Sequence, residues 1–233
     1  MKDTKKTLFL PIFAQNFKNF MKNYYKKLEN GLVVTQITAE YAERLGDLQQ
    51  RVFPTLAAEE LMQPKHYLRH IEIFPEGQFL VLDGEKVVGA TTTIRYHYSE
   101  KHHTFLDISD NLWMTSHEPD SEWLYGMDVG VDTSYRKMGI ARELYRARHW
   151  LCAELNLAGQ MTVGMLNGYA DYPETISVED YFAKVKAGEV ADKTVSVQQK
   201  IGFKIMSLME NYLDDPQCGN AGALLILPLS VNI

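Results

Sequence analysis

The sequence predicts an α/β (α+β) fold in which helices sandwich one mixed sheet. Runs with the period of a β-strand alternate with stretches of helical period along the chain. With 233 residues, 45% of them hydrophobic, the chain can bury one substantial core, as a single domain with an N-terminal extension. A strand-like run (Tyr125, Met127, Val129, Val131) turns through Asp132-Thr133-Ser134-Tyr135 into Arg136-Lys137-Met138-Gly139-Ile140-Ala141, and a long helical stripe follows.

Taken in order, residues 1–31 form the extension and 32–233 the domain, with an insertion at about 166–192. In the extension Pro11 suits a first helical turn and Asn30-Gly31 a helix end. Phe13, Phe17, Phe20 and Tyr24 recur on one face between them, so an amphipathic helix is expected. Leu32–Ile37 reads as a strand, Ala39–Arg51 as a helix and Ala57–Ile73 as a second helix beyond the Phe53-Pro54 break. Gln78–Leu82 and Lys86–Tyr96 are strands joined by Asp83-Gly84-Glu85, a hairpin turn. Residues 97–121, rich in His, Asp and Ser, read as irregular, and Glu122–Val131 as the central strand. Ile140, Leu144, Ala147, Leu151 and Leu155 mark the buried stripe of a helix from Lys137 to about Asn156. A strand at Gln160–Met165 precedes the insertion, whose length marks it as functional or lid-like. A short helix at Val195–Ile201 and strands at Phe203–Asn211 and Ala223–Leu229 complete the chain.

Charge is unevenly spread. Residues 1–30 carry seven lysines against Asp3 and Glu29, a net of +5, which leaves −11 on the remainder. An acidic body argues against nucleic acid as a partner and favours cationic substrates. The basic helix packs on the domain or on a second copy of the chain in a homodimer, with a membrane surface as the other use of such a segment. Lys2, Lys5 and Lys6 before an apolar stretch imitate a signal peptide, but Pro11 interrupts it and no small-x-small site follows. Cys152 and Cys218 offer no disulfide framework, so a cytoplasmic location is expected. His97, His102, His103 and His117 share one irregular stretch without cysteine partners or helical spacing, and no metal is expected.

The turn after the central strand has its own chemistry. A helix start leaves backbone N–H groups unpaired and adds partial positive charge, so a pyrophosphate can dock on the backbone of residues 136–141. Gly139 allows close approach, Ala141 keeps the next turn small, and Arg136 and Lys137 add cationic charge. The pattern Arg-x-x-Gly-x-Ala takes its meaning from lying between a strand and a helix. With these residues the chain resembles the GNAT family of acetyl-coenzyme A-dependent N-acyltransferases. Leu124–Val131 and Gln198-Gln199-Lys200-Ile201-Gly202-Phe203 extend the likeness. Gly168-Tyr169, Tyr181, Gly188-Glu189, Asp192 and Tyr212 resemble a subgroup often fused to nitrilase-like amidohydrolase domains, although the 233 residues hold no segment of amidohydrolase size.

The resemblance implies a mostly antiparallel sheet splayed between its fourth and fifth strands, with acetyl-CoA as co-substrate. The backbone of Val129 and Val131 would pair with the pantetheine arm, and Arg136, Lys137, Met138, Gly139, Ile140 and Ala141 would hold the pyrophosphate. Gly130 inside the strand suggests a bulge aiming an N–H at the thioester oxygen. The acceptor would be a primary amine of a small molecule or peptide, and its deprotonation calls for a carboxylate. Strand periodicity puts Glu122 and Asp128 on one face as candidates, with a structural acid as the alternative for Asp128. In the family a tyrosine four residues before the late Gly-Phe often protonates the departing thiolate; Gln198 stands there and cannot. Either the thiolate leaves unprotonated or Tyr169, Tyr172 or Tyr181 serves. The acidic insertion (Asp171, Glu174, Glu179, Asp180, Glu189, Asp192) is either a solvated face or a lid steering amines. A non-catalytic acyl-coenzyme A-binding module is the other functional reading.

Overall fold

The computed structural model describes residues 23–172 and 175–233. The sheet is built from two halves. The first runs β1 (Tyr25–Lys27), β2 (Val33–Gln36), β3 (Phe79–Asp83), β4 (Lys86–Thr91) and β7 (Gly130–Val131), all antiparallel neighbours. The second runs β5 (Thr93–Tyr96), β6 (Trp123–Gly126), β8 (Gly159–Met165), β10 (Gly222–Pro228) and β9 (Lys204–Met209). Only β6 with β8 is parallel in it. This is the mixed, mostly antiparallel sheet expected.

Alternation along β3 sorts the core. Leu80 and Leu82 face the layer that holds Leu45 and Leu48 of helix α1 (Ala42–Val52). Phe79 and Val81 face the opposite layer, with Ile140, Leu144, Ala147 and Leu151 of the long α4 helix (Ile140–Glu154). The predicted stripe is therefore the buried one. Cys152 lies beside it, fully buried, and burial pushes its thiol up to about 12.

Several boundaries differ from the sequence reading, each for a local reason. Tyr25–Lys27 is a strand: Asn30-Gly31, read as a helix end, sits in a hairpin turn, with Gly31 at φ +87° and its N–H bonded to Leu28 O. Tyr24 packs its ring edge-on to Phe79 and against Trp150, and Lys26 pairs with Glu143 at 2.6 Å. The helical face expected at Phe13, Phe17 and Phe20 lies outside the described residues, as does Glu174 of the insertion. The second helix, α2, starts only at Pro64, whose fixed φ suits a first turn, and runs to Ile73. The irregular stretch contains α3 (Phe105–Ser109), begun by a capping box between Thr104 and Asp107. In the insertion, α5 (Val178–Ala187) starts at a Ser177 cap, and α6 (Val195–Ile201) follows as expected.

Buried His70 donates Nε2–H to Leu112 O at 2.6 Å, leaving Nδ1 bare, and burial lowers its pKa from 6.5 to about 4. Unfolding releases an imidazole that takes up a proton near pH 6.5, whereas the native protein resists protonation until about 4. This contribution to stability should therefore be whole at neutral pH and be lost as pH falls from 6.5 towards 4. Urea titrations across this range should show the loss, with a shallower slope in His70→Gln, which keeps an amide donor for Leu112.

Candidate active site

The site grows from a break shared by two neighbouring strands. After Thr91 the chain leaves β4, and after Thr92 it enters β5 in the other half-sheet; after Gly126 it leaves β6, and at Gly130 it enters β7 in the first. The expected single strand Glu122–Val131 is thus two, interrupted at Met127–Val129 rather than bulged at Gly130. Gly130 pairs regularly with Ala90, and a Cβ there would meet its nearest neighbours at an ordinary 3.5 Å. The tight glycine is Gly126, where a Cβ would lie 2.0 Å from the Arg148 guanidinium.

Asp128 holds the break. Its Oδ1 accepts from Thr92 N and Thr92 Oγ1, each at 2.7 Å, and its Oδ2 from Gln49 Nε2 at 2.7 Å. Its carbonyl accepts from Thr91 Oγ1 at 2.6 Å and from Nη2 of fully buried Arg148. Burial raises the Asp128 pKa, opposed by the Thr92 donors and the Arg148 charge, and burial lowers that of Arg148.

Parallel pairing of β6 with β8 ends at Gly126 opposite Thr162, and β7 pairs with β4 instead, so the sheet opens between β7 and β8. Gly130 faces Ala90 across that ladder, and Asp132 N–H donates to Val88 O at 2.9 Å. Because an antiparallel strand turns successive peptide groups to opposite sides, Val129 and Val131 direct theirs into the opening.

One end of the opening is the turn predicted to cradle a pyrophosphate. Asp132 starts it, accepting from Ser134 Oγ at 2.6 Å and Ser134 N at 3.1 Å, with Arg51 and Lys86 nearby. The Ser134 hydroxyl, ahead of Lys86, holds the Asp132 carboxyl down at about 2. Lys137 and Gly139 then take left-handed φ of +65° and +81°. α4 begins at Ile140 with no side chain capping it. Arg136, Lys137, Met138 and Gly139 are exposed, Ala141 is half-buried and Ile140 anchors the core. Nothing lies within 4 Å of a Cβ built on Gly139. The first amides of α4 therefore face open space, and the residues fit a polyphosphate. Arg51, Arg136 and Lys193 line the cleft beside the cradle, together with Val129 and Val131.

At its inner end the cleft meets a cavity of about 110 Å³, room for several water-sized groups. Asp128, Gln49, Tyr145, Thr162, Gln198 and Tyr212 supply its polar wall, and Met62, Phe105 and Leu213 are among its apolar residues. Gln198 replaces the expected tyrosine by proxy: its Nε2 donates to the hydroxyl of Tyr145, from α4, at 2.8 Å. A Cβ on Gly164 would lie 2.2 Å from the Gln198 amide oxygen, so a glycine on β8 makes the contact sterically feasible. Tyr145 escaped the sequence reading because its helix was read for its apolar stripe alone.

Two other candidates lie elsewhere. Glu122 is exposed at the start of β6, where its carbonyl accepts from Ala158 N, and it does not line the cavity. Tyr169 donates its hydroxyl to Ile176 O at 2.9 Å and packs on Tyr181, away from the cavity. Tyr181 donates to Asp192, whose carboxylate also accepts from the backbone of Gly168, Thr194 and Val195. This buried carboxylate ties the insertion to the start of α6, while Asp171 and Glu189 pair with Lys193 and Lys184. Asp192 is thus a structural acid. The four histidines also separate: His97 meets Glu118, His102 the Glu210 carbonyl, His103 the Tyr125 hydroxyl, and His117 accepts from Arg95 N.

A sheet split beside a turn of exposed helix-start amides is an arrangement suited to binding an acyl-coenzyme A. The Acetyltransferase (GNAT) family model matches residues 42–151. "Uncharacterized N-acetyltransferase YkwB" of Bacillus subtilis (strain 168) is 29% identical over 83% of this chain and 87% of its own length. "Probable hydrolase YhcX" of the same organism is 32% identical over 81% of this chain, which spans 37% of that protein. Among solved structures, the loading GNATL domain of CurA from Lyngbya majuscula superposes with a TM-score of 0.72 at 19% identity, covering 89% of this chain and 98% of that domain. The chain belongs to the GNAT family.

If the carboxylate of Asp128 bolts the strand break, Asp128→Asn, with one acceptor oxygen for three donors, should lower the unfolding free energy by roughly 1–3 kcal/mol. Urea denaturation monitored by tryptophan fluorescence measures this, and wild-type stability would remove the bolt.

Proposed function

We propose that this protein is an acetyl-CoA-dependent N-acetyltransferase that transfers an acetyl group directly to a primary amine of a small molecule or peptide. The carrying observation is the unpaired backbone edge of Val129 and Val131, running from the exposed cradle at 136–141 to a cavity walled by carboxylate, tyrosine and apolar groups. Family membership supports acyl-coenzyme A-dependent acetyl transfer in general.

Bound acetyl-CoA supplies an activated acyl thioester. Arg136, Lys137 and the amides from Met138 to Ala141 hold its pyrophosphate. Val129 and Val131 align the pantetheine arm as an added strand would be aligned, and the N–H groups at the strand break offer donors to the thioester oxygen. The ammonium first loses one proton to solvent; the neutral amine then forms its bond to the acyl carbon as the carbon–sulfur bond breaks, one proton is provided to sulfur by a tyrosine, and the proton released by nitrogen restores that phenolate. Tyr145 is placed to provide the proton to sulfur, because Gln198 donates to its oxygen and leaves its own O–H free to turn into the cavity. Asp128, already accepting from three donors, contributes negative charge to the wall and geometry to the break.

One observation favours a second reading, a non-catalytic acyl-coenzyme A-binding module: Asp128 is fully engaged and Gln198 stands at the late-helix position. Thiol release from acetyl-CoA over a panel of primary amines decides between them, since binding without amine-dependent release would leave the module. Gly139→Glu places bulk and negative charge in the cradle and should weaken coenzyme A binding at least about 100-fold by calorimetry, a loss of about 2.7 kcal/mol. Unchanged affinity would overturn the cradle. Tyr145→Phe should lower kcat by about 10-fold or more while leaving coenzyme A affinity unchanged, and a wild-type kcat would assign thiolate protonation to solvent.

A further inference from the structure

The cavity borders a second hollow. On one side it shares Phe53, Val129, Met165, Asn167 and Thr194 with the basic cleft that leads to the cradle. On the other it shares Glu60, Tyr212 and Leu213 with an outer hollow completed by Thr104, Leu106, Asn211, Asp214 and Asn220. The charges are segregated along this line. Arg51, Arg136 and Lys193 line the cleft against one acid, Asp215, whereas no lysine, arginine or histidine lines the cavity or the outer hollow among the described residues.

Glu60 stands in the wall between cavity and hollow. It is 5% exposed, and its Oε2 accepts one hydrogen bond, from Asp214 N–H at 2.8 Å. No other side-chain hydrogen bond or ion pair reaches it from the described residues, so Oε1 is left for a ligand. Asp128, by contrast, has both oxygens occupied. A buried carboxylate without a cationic partner is costly, and an incoming cation would relieve that cost. Burial raises the Glu60 pKa, and neighbouring Asp214, Glu59 and Asp215 push the same way, against the Asp214 backbone donor. Leu56, Met62, Phe105 and Leu213 line the cavity with Glu60, and Leu106 and Leu213 give the outer hollow an apolar part beside Thr104, Asn211 and Asn220.

We infer that the acceptor is a primary amine with an apolar body that enters through the outer hollow, opposite the cradle, and that Glu60 binds its ammonium group. The inference rests on the acyltransfer reading above and names its substrate class. Coenzyme A, a polyanion, would be drawn to the basic cleft, and the amine to the acidic mouth, so the two substrates meet in the cavity without competing for one entrance. Acceptors bearing a carboxylate beside the amine would be repelled by Glu60 and left unpaired against the apolar wall. Glu60 binds the ammonium as a charge partner; one proton passes to solvent to free the attacking amine, a second leaves nitrogen as the acetyl group moves to it from sulfur, and the neutral amide that results no longer attracts Glu60.

Glu60→Gln is the discriminating variant, because glutamine keeps an oxygen to accept from Asp214 N–H while losing the charge. With phenethylamine and hexylamine as probes, KM for the amine should rise at least about 30-fold. Coenzyme A affinity should stay at its wild-type value, the thermal midpoint should stay level or rise as a costly buried charge is removed, and Glu60→Asp should recover part of the loss of amine binding. A purely structural Glu60 would leave the amine KM unmoved, and that result overturns the inference. Leu106→Trp, which fills the outer hollow, should also raise the amine KM without altering coenzyme A binding; an unchanged KM would overturn the route of entry. Preference for glutamate or glycine over phenethylamine would overturn the substrate class. If no amine provokes thiol release, the acyltransfer reading falls by itself. Calorimetry of phenethylamine into coenzyme A-saturated protein then still judges Glu60, with binding lost in Glu60→Gln supporting it and no binding to wild type overturning it.

Discussion

The Asp128 carboxylate is the interaction on which the site depends. Two adjacent strands leave one half-sheet for the other at the same level, and a broken ladder strands peptide groups that water cannot reach. Asp128 supplies the missing acceptors for Thr92, while Thr91 and Arg148 satisfy its own carbonyl. A continuous strand would have zipped β8 to its neighbour along its whole length and closed the opening. The carboxylate lets the sheet part and keeps it parted, and every proposed substrate contact lies along that parting.

Around this opening the chain separates its charges. Cationic side chains flank the cradle and its cleft, Asp132 fixes the turn that precedes it, and Asp128 and Glu60 lie on the inner walls. The low exposure of the inner wall strengthens each of these charges relative to the same charge in water. A negatively charged co-substrate and a positively charged acceptor can then be sorted by field before any close contact forms. Asp192 performs a different service, pinning the insertion to α6 so that Gln198 holds the Tyr145 hydroxyl.

Sequence reasoning reached the elements with strong periodicity and failed where a short local signal served two purposes. The α4 stripe, the Asp83–Glu85 hairpin and α6 stand where their residues predicted. Asn30-Gly31, however, ends helices and turns hairpins equally well, and pairing with β2 decided for the hairpin. Likewise Glu122 and Asp128 share a face only if the strand is unbroken; the interruption at Met127–Val129 leaves one at the surface and the other at the cavity. Glu60 and Tyr145 had no motif to mark them, since each lies in a stretch read for its helical pattern.

By itself the amino-acid order determined the kind of fold and the turn into α4 at residues 136–141, because both are written in neighbours: alternation along a strand, a stripe along a helix, a glycine between them. Only the folded chain decided where the sheet parts, which carboxylate is occupied and which is free, and that Tyr145 stands beside Gln198. These follow from packing among segments far apart in the chain, where burial and hydrogen-bond satisfaction, not local preference, set the outcome.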